Sequence, residues 1–323
     1  MKGAICYDME YNDFKNKLKK LLEKKITEGY KVYENTVLKN NSILLDSFVI
    51  CNEKTNVSPN FYVKHYFKMY EDGMPLDYLV DDIIEKFEEN VNCPKYEKVD
   101  IEFDKVKSRI VGRLISKDKN EMLLKTVPHI DIMDLSVIFY ILLDYGEKQC
   151  TGFRLTNSLF EKWNDEGVDL DRLYDLALKN SSELLPVMMT PLIDFIEKIS
   201  DISELDGIAV NNDLFVLTNE SMLHGAFAVF YEGMLEKIYE EIGGEYFVLP
   251  SSVHEVIIYK DNGDGDTNFL INMVVNVNQN IVCNEDILSD NVYKYNSSTK
   301  SLEMVEFVEG GTKSRIFFET CNK

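Results

Sequence analysis

The chain runs to 323 residues, too many for one small core and enough for two or three packed units. Apolar residues at 45% and charged residues at 28% exclude wholesale disorder. A net charge of −21, with only five arginines among 35 basic residues, speaks against phosphate-backbone binding, which needs clustered cations, so no direct nucleic-acid contact is expected.

From Asn12 the spacing of Phe14, Leu18, Leu21 and Leu22 predicts an amphipathic helix that ends near Glu28 and Gly29. "YKVYENTVLKNNSILLDSFVI" reads as two strands turning at Asn40 and Asn41. In "SPNFYVKHYFKMYEDG", Phe61 or Tyr62 joins Tyr66 and Tyr70 at helical spacing. Pro75 suits the first turn of the next helix, which turns Leu76, Val80, Ile83, Ile84 and Phe87 inward. The polar "EENVNCPKYEKVD" marks a first boundary, giving a unit over 1–95 built of a helix, a β-hairpin and helices.

A middle mixed unit over 96–203 opens on the strand "SRIVGRLIS", and "HIDIMDLSVIFYILLD" reads as one strand. "TGFRLTNSLFEKWN" is strand then helix, and Asp169 is a candidate N-cap for a helix burying Leu170, Leu173, Tyr174 and Ala177. After "KISDISELDG" comes an acidic C-terminal unit over 204–323. It contains the strand "FVLTN", one long helix from about Ser221 with Leu223, Phe227, Phe230, Met234 and Ile238 inward and Gly243 as its stop, and the strands "EYFVLP" and "VHEVIIYK". "NFLINMVVNVNQ" fits a strand or a helix equally, and "NVYKYNSSTKSLEMVEF" closes as a hairpin. The fold class is therefore α+β: two or three packed units with mixed or antiparallel sheets and amphipathic helices.

The acidity is uneven. Residues 1–40 carry nine lysines against six acids, a net of +3, whereas residues 201–323 carry seven basic against 21 acidic residues, a net of −14. Such a surface suits a basic protein partner, or serves solubility alone. The six cysteines show no CxxC spacing and the N-terminus has no basic start followed by an apolar run, so reduced thiols and a cytoplasmic protein are expected. The longest apolar run, "SVIFYILL", is far short of the roughly 20 residues of a membrane span, so no membrane association is expected.

The chemistry-bearing residues gather in two turns. Thr218, Asn219 and His224 follow one predicted strand; Ser251, Ser252, His254 and Glu255 follow another. If both strands share a sheet, these residues meet at one cleft, as strand-end sites often do. A serine nucleophile also needs a base and an oriented partner for it. On a strand, His254 and Glu255 would face opposite ways, so Glu255 is poorly placed to orient its neighbour. "HEVII" lacks the second histidine of a zinc helix. Asp264, Asp266 and Asn268 match positions one, three and five of a calcium loop, but Phe269 and Val275 stand where glycine and glutamate belong. Asp266 as a helix cap explains that cluster better. His129 has Asp131 and Asp134 nearby, and His65 falls on the polar face of its helix. No cofactor motif is present, neither a phosphate-binding loop nor a dinucleotide fingerprint.

The segments "FVLTNESMLHGAFAVFYEGMLEKIYEEIGGEYFVLPSSVHEVII" and "DILSDNVYKY" resemble the bacterial family of unknown function DUF5688, seen chiefly in gut clostridia and their relatives. "ILLDSFVI", "SPNFYVKHYFKMYEDGMPLDYLVDDI", "VPHIDIMDLSVIFYILL" and "RLYDLALKNSSELLPV" match as well, so the resemblance covers about residues 30–296. It implies an intracellular protein and a helix over 266–279, and it supplies no activity, ligand or catalytic residue. The loop "YKDNGDGDTNF" departs from the proline-acidic turn common in the family.

Two functions are expected from these observations. The first is a cytosolic interaction or regulatory protein whose acidic C-terminal surface meets a basic partner. The alternative is a small-molecule hydrolase or ligand-binding protein working from the cleft between the turns at 218–224 and 250–255.

Overall fold

A computed structural model describes residues 9–52, 58–91, 100–145, 150–199, 213–263 and 266–307. The backbone divides into two units, Met1–Lys39 with Ile43–Ile101, and Asn40–Ser42 with Glu102–Lys323.

In the first unit, α1 (Tyr11–Lys25) is followed by β1 (Lys31–Leu38), β2 (Leu44–Cys51), β3 (Asn60–Tyr62), α2 (Val63–Glu71) and α3 (Leu76–Val91). The three strands form one antiparallel sheet in the order β1-β2-β3. The hairpin turn uses left-handed backbone at Asn41 and Ser42, where asparagine is among the residues that tolerate it best. Phe14, Leu18 and Leu22 sit one above another on α1 and bury against Phe48 and Ile50 of β2, with Tyr66, Tyr70, Ile83 and Phe87 closing the core. Phe61 does not extend the helix: it lies on β3 opposite Phe48, and the tyrosine stripe of α2 starts after it.

The second unit holds α4 (Phe103–Val106), β4 (Ile110–Ser116), α5 (Glu121–Leu124), β5 (His129–Ile132), β6 (Leu135–Tyr145), β7 (Cys150–Arg154), α6 (Asn157–Asp165), α7 (Leu170–Leu184), β8 (Val187–Pro191) and α8 (Leu192–Ile199). It continues through β9 (Leu214–Asn219), a 3-10 segment Gly225–Phe230, α9 (Met234–Ile242), β10 (Tyr246–Pro250), β11 (Val256–Lys260), α10 (Thr267–Asn280), β12 (Val292–Asn296) and β13 (Ser301–Val305). The fold is thus α+β, with every described strand pairing antiparallel.

Two sheets organise this unit. In one, the long β6 pairs with β4 along one edge and with β5 and then β7 along the other. The second runs β13-β12-β10-β11-β9-β8, so a strand from before residue 203 and five from after it share one ladder. Alternation along β10 splits its side chains: Tyr246 and Val248 join the main core around Phe139, Trp163 and Phe227, while Phe247 and Leu249 face Leu270 and Val274 of α10. The helical reading of 266–279 therefore holds, and its cap is Asp266, whose carboxylate accepts the N–H groups of Asn268 and Phe269.

Two elements differ from the sequence reading. "HIDIMDLSVIFYILLD" is a hairpin rather than one strand: Met133 turns at a φ of 56°, and Ile132 pairs back onto Leu135. The long helix from Ser221 is broken into the 3-10 segment and α9. Gly233 adopts left-handed backbone at the junction, and the Phe227 ring packs closely against β4. A Cβ on Gly112 of β4 would lie 2.3 Å from the Phe227 ring, so the ring reaches the strand only because that residue has no side chain. The C-terminal stop at Gly243 stands as expected, with left-handed backbone and its N–H on the carbonyl of Tyr239.

The hairpin turn between β5 and β6 carries Asp134. Its Oδ2 accepts from Ser289 Oγ at 2.6 Å and Asn291 Nδ2 at 3.0 Å, and its Oδ1 accepts from Tyr293 OH at 2.7 Å. Burial, and then this carboxylate, push the Tyr293 phenol well above the ordinary tyrosine range. Replacing Asp134 by alanine strands the buried hydroxyls of Ser289 and Tyr293, so Asp134→Ala should cost about 3–5 kcal/mol in urea unfolding of this unit. A loss under about 1 kcal/mol would show that water takes over these bonds.

Candidate functional site

β9 and β11 are neighbours in the six-stranded sheet, and the turns leaving β9 and entering β11 meet. Thr218 Oγ1 donates to the carbonyl of His254 at 2.8 Å. Asn219 shapes its own turn: its Oδ1 accepts from Ser221 Oγ at 2.7 Å and its Nδ2 donates to the carbonyl of Leu223 at 3.0 Å. Both Thr218 and Asn219 are buried. The turn they support is tight enough to hold Met222 and His224 in left-handed backbone, a conformation that costs a residue other than glycine about 1 kcal/mol. Gly225 then passes so close that a Cβ would lie 2.3 Å from Thr218 Oγ1 and 2.7 Å from the His254 carbonyl.

The opposing turn is equally committed. Ser252 is buried, its Oγ donates to Glu255 Oε1 at 2.9 Å and accepts from the backbone N–H of His254 at 2.9 Å. Ser251 stands half-buried at the start of this turn. β11 starts only at Val256, so His254 and Glu255 sit in the turn and not on a strand. This corrects the strand-based expectation for the pair. Glu255 serves Ser252, and the carboxylate facing His254 is Asp286, with Oδ1 at 3.3 Å from Nε2.

The tautomer of His254 follows from its neighbours. The backbone N–H of His224 points at Nδ1 from 3.1 Å and can only donate, so Nδ1 bears the lone pair and Nε2 bears the proton directed at Asp286. The imidazoles of His224 and His254 lie 5.1 Å apart, the Tyr140 ring stacks on His224, and the Arg113 guanidinium sits 3.5 Å above the Tyr140 ring. In this arrangement both nitrogens of His254 are engaged and the Ser252 proton is given to Glu255. A serine nucleophile activated by His254 would need one of those bonds to break.

The remaining candidates are scattered. Asp266 Oδ1 is occupied by the amides of α10, Asn268 lies in the first turn of that helix, and Asp264 is outside the described residues. Among the described residues, no three His, Cys, Asp or Glu side chains converge as metal ligands. His129 turns Nδ1 to the carbonyl of Val127 at 3.0 Å, while Asp131 accepts from Ser136 and pairs with Lys117. His65 is exposed on α2. Sequence reasoning missed Asp286 because it lies 32 residues after His254 with no motif spacing between them. Asp286 opens "DILSDNVYKY", one of the segments that carry the family resemblance, but nothing within that segment marks its pairing with His254.

His254→Ala should lower stability by about 1–3 kcal/mol, because the His224 N–H loses its acceptor and Asp286 its donor. It should also speed hydrogen exchange at residues 219–225. Ser251→Ala should stay within about 0.5 kcal/mol of the parent. An unchanged exchange pattern in His254→Ala would mean that the His224 turn holds itself.

No curated protein and no solved structure matches the chain. The model of the family of unknown function DUF5688 matches residues 11–297, most of the chain, and the protein belongs to that family.

Proposed function

We propose that this is a cytosolic bacterial interaction or regulatory protein, and that the acidic face of its second unit receives a basic protein partner. What carries the reading is α9. Its last turn holds no basic residue, and Glu240 and Glu241 are exposed there, where the carbonyl end of the helix dipole disfavours anions. Among the described residues neither glutamate, nor the exposed Glu232 nearby, has a cation within pairing distance, whereas Glu236 faces Lys300. Charge held against the local field and left unpaired suits recognition of an external cation better than it suits folding. The free thiols of Cys51 and Cys283 agree with a reducing compartment, and among the described residues no helix is long and apolar enough to cross a membrane.

A hydrolase or ligand-binding protein working from Thr218, His224, Ser252 and His254 has less support. The two turns do meet, but their polar groups satisfy one another, and the imidazole keeps no nitrogen for substrate.

The test is capture of the tagged protein's partners from lysate of its host, repeated with the E240Q/E241Q variant. A stoichiometric basic partner should be retained at low salt, released at high salt, and bound about two- to thirtyfold more weakly by the variant, the range two exposed ion pairs span. A partner indifferent to both salt and variant, or no partner together with turnover that His254→Ala abolishes in folded protein, overturns the reading.

A further inference from the structure

α10 presents a face unlike the rest of the chain. From Thr267 to Asn284 there are 18 residues without a single Asp, Glu, Lys or Arg, where 28% charge would place about five. The inward side of the helix packs Leu270 and Val274 against β10 and β12, so it is the outward side that needs an explanation. Asparagine recurs there every fourth residue, at 268, 272, 276 and 280, which sets four carboxamides along one ridge. Asparagine is among the poorer helix formers, so propensity does not account for the repeat. The ridge is already ordered in part: Asn280 Nδ2 donates to the carbonyl and to the side-chain oxygen of Asn276, at 2.8 and 2.6 Å. Phe269 at one end is 63% exposed and Ile281 at the other is 76% exposed, the two most exposed large apolar side chains among the described residues.

From this pattern we infer that the outward face of α10 is a self-association surface, occupied by α10 of a second copy lying antiparallel across a two-fold axis. Two properties select the second copy. A carboxamide is at once donor and acceptor, so a ridge of them is complementary to itself, as an isologous interface requires. A chain of net charge −21 repels its own copy over most of its surface, and an 18-residue charge-free stretch is where that repulsion is least. Ridges spaced by four on both helices interlock at a crossing of about −50°, which faces Asn272 of one copy with Asn276 of the other. Phe269 and Ile281 then cover the two ends. A 14-residue helix is about 21 Å long and supplies much less than the roughly 800 Å² per partner of a standard interface. The dimer is accordingly weak, with a dissociation constant on the order of 10–100 µM.

Sedimentation velocity of the full chain from about 1 to about 500 µM brackets that range. The expected result is a monomer at the low end and a concentration-dependent dimer at the high end. Because no charges meet, added salt should leave this dimer intact or strengthen it, the reverse of the basic-partner interaction at α9. The variants N272D/N276D and N272K/N276K, verified as folded by circular dichroism, should each dimerise at least about tenfold more weakly, since like charges then face each other. Mixing the two should restore a heterodimer. A chain that stays monomeric over the whole range, or a dimer that survives both variants, overturns the inference. A partner other than a second copy would give the first of these results.

Discussion

The carboxylate of Asp134, in the turn between β5 and β6, accepts from Ser289, Asn291 and Tyr293, side chains more than 150 residues further along the chain. Among the described residues no cation pairs with this half-buried carboxylate, and the three neutral donors, two on Oδ2 and one on Oδ1, offset part of its desolvation. The segment it fixes is itself a junction. The carbonyl of Ser289 accepts from Asn278 and so anchors the inward side of α10. A few residues earlier, the carbonyl of Asp286 accepts from Val253 and its side chain faces His254. Through one carboxylate, the four-stranded sheet, α10 and the turn before β11 take consistent positions.

Close approach is the second constraint, and glycine makes it feasible at two places. Gly112 admits the Phe227 ring against β4, and Gly225 admits the backbone of the His224 turn against Thr218 and His254. Between these two contacts the chain has little room for a continuous helix. It takes a 3-10 segment, whose tighter winding reaches further per residue, and resumes as α9 after Gly233. The left-handed backbone at Met222 and His224 is strain held in place by this packing and by the bonds of Asn219 and His254.

Electrostatics and hydrogen bonding divide the second unit's surface into unlike regions. Around His254 the polar groups are inwardly satisfied, so the turns behave as a clasp joining β9, β11 and the segment at 283–287. On α9 the exposed Glu240 and Glu241 have no counter-charge among the described residues and stand at the unfavourable end of the helix. On α10 charge is absent and carboxamides replace it. The same acidic composition thus leaves exposed carboxylates at the end of one helix and no charge along another.

Local pattern by itself determined most of the element types and many of their inward faces, though it left 267–280 open between strand and helix. Phe14, Leu18 and Leu22 on α1, Leu173 and Ala177 on α7, and the caps at Asp169 and Gly243 all follow from periodicity and backbone chemistry that act within a few residues. The meeting of the turns at Thr218 and His254 was legible as a possibility once both were seen to leave strands. What only the tertiary structure decided depends on partners distant in sequence. Asp134 reads as a neighbour of His129 until Tyr293 is brought beside it, and Asp286 has no local mark as the partner of His254. The helix expected from Ser221 has the correct spacing of apolar residues and still breaks, because Phe227 must meet Gly112 across the sheet. Periodicity reports which side of a segment is apolar; steric fit against a remote strand decides whether the segment can remain regular.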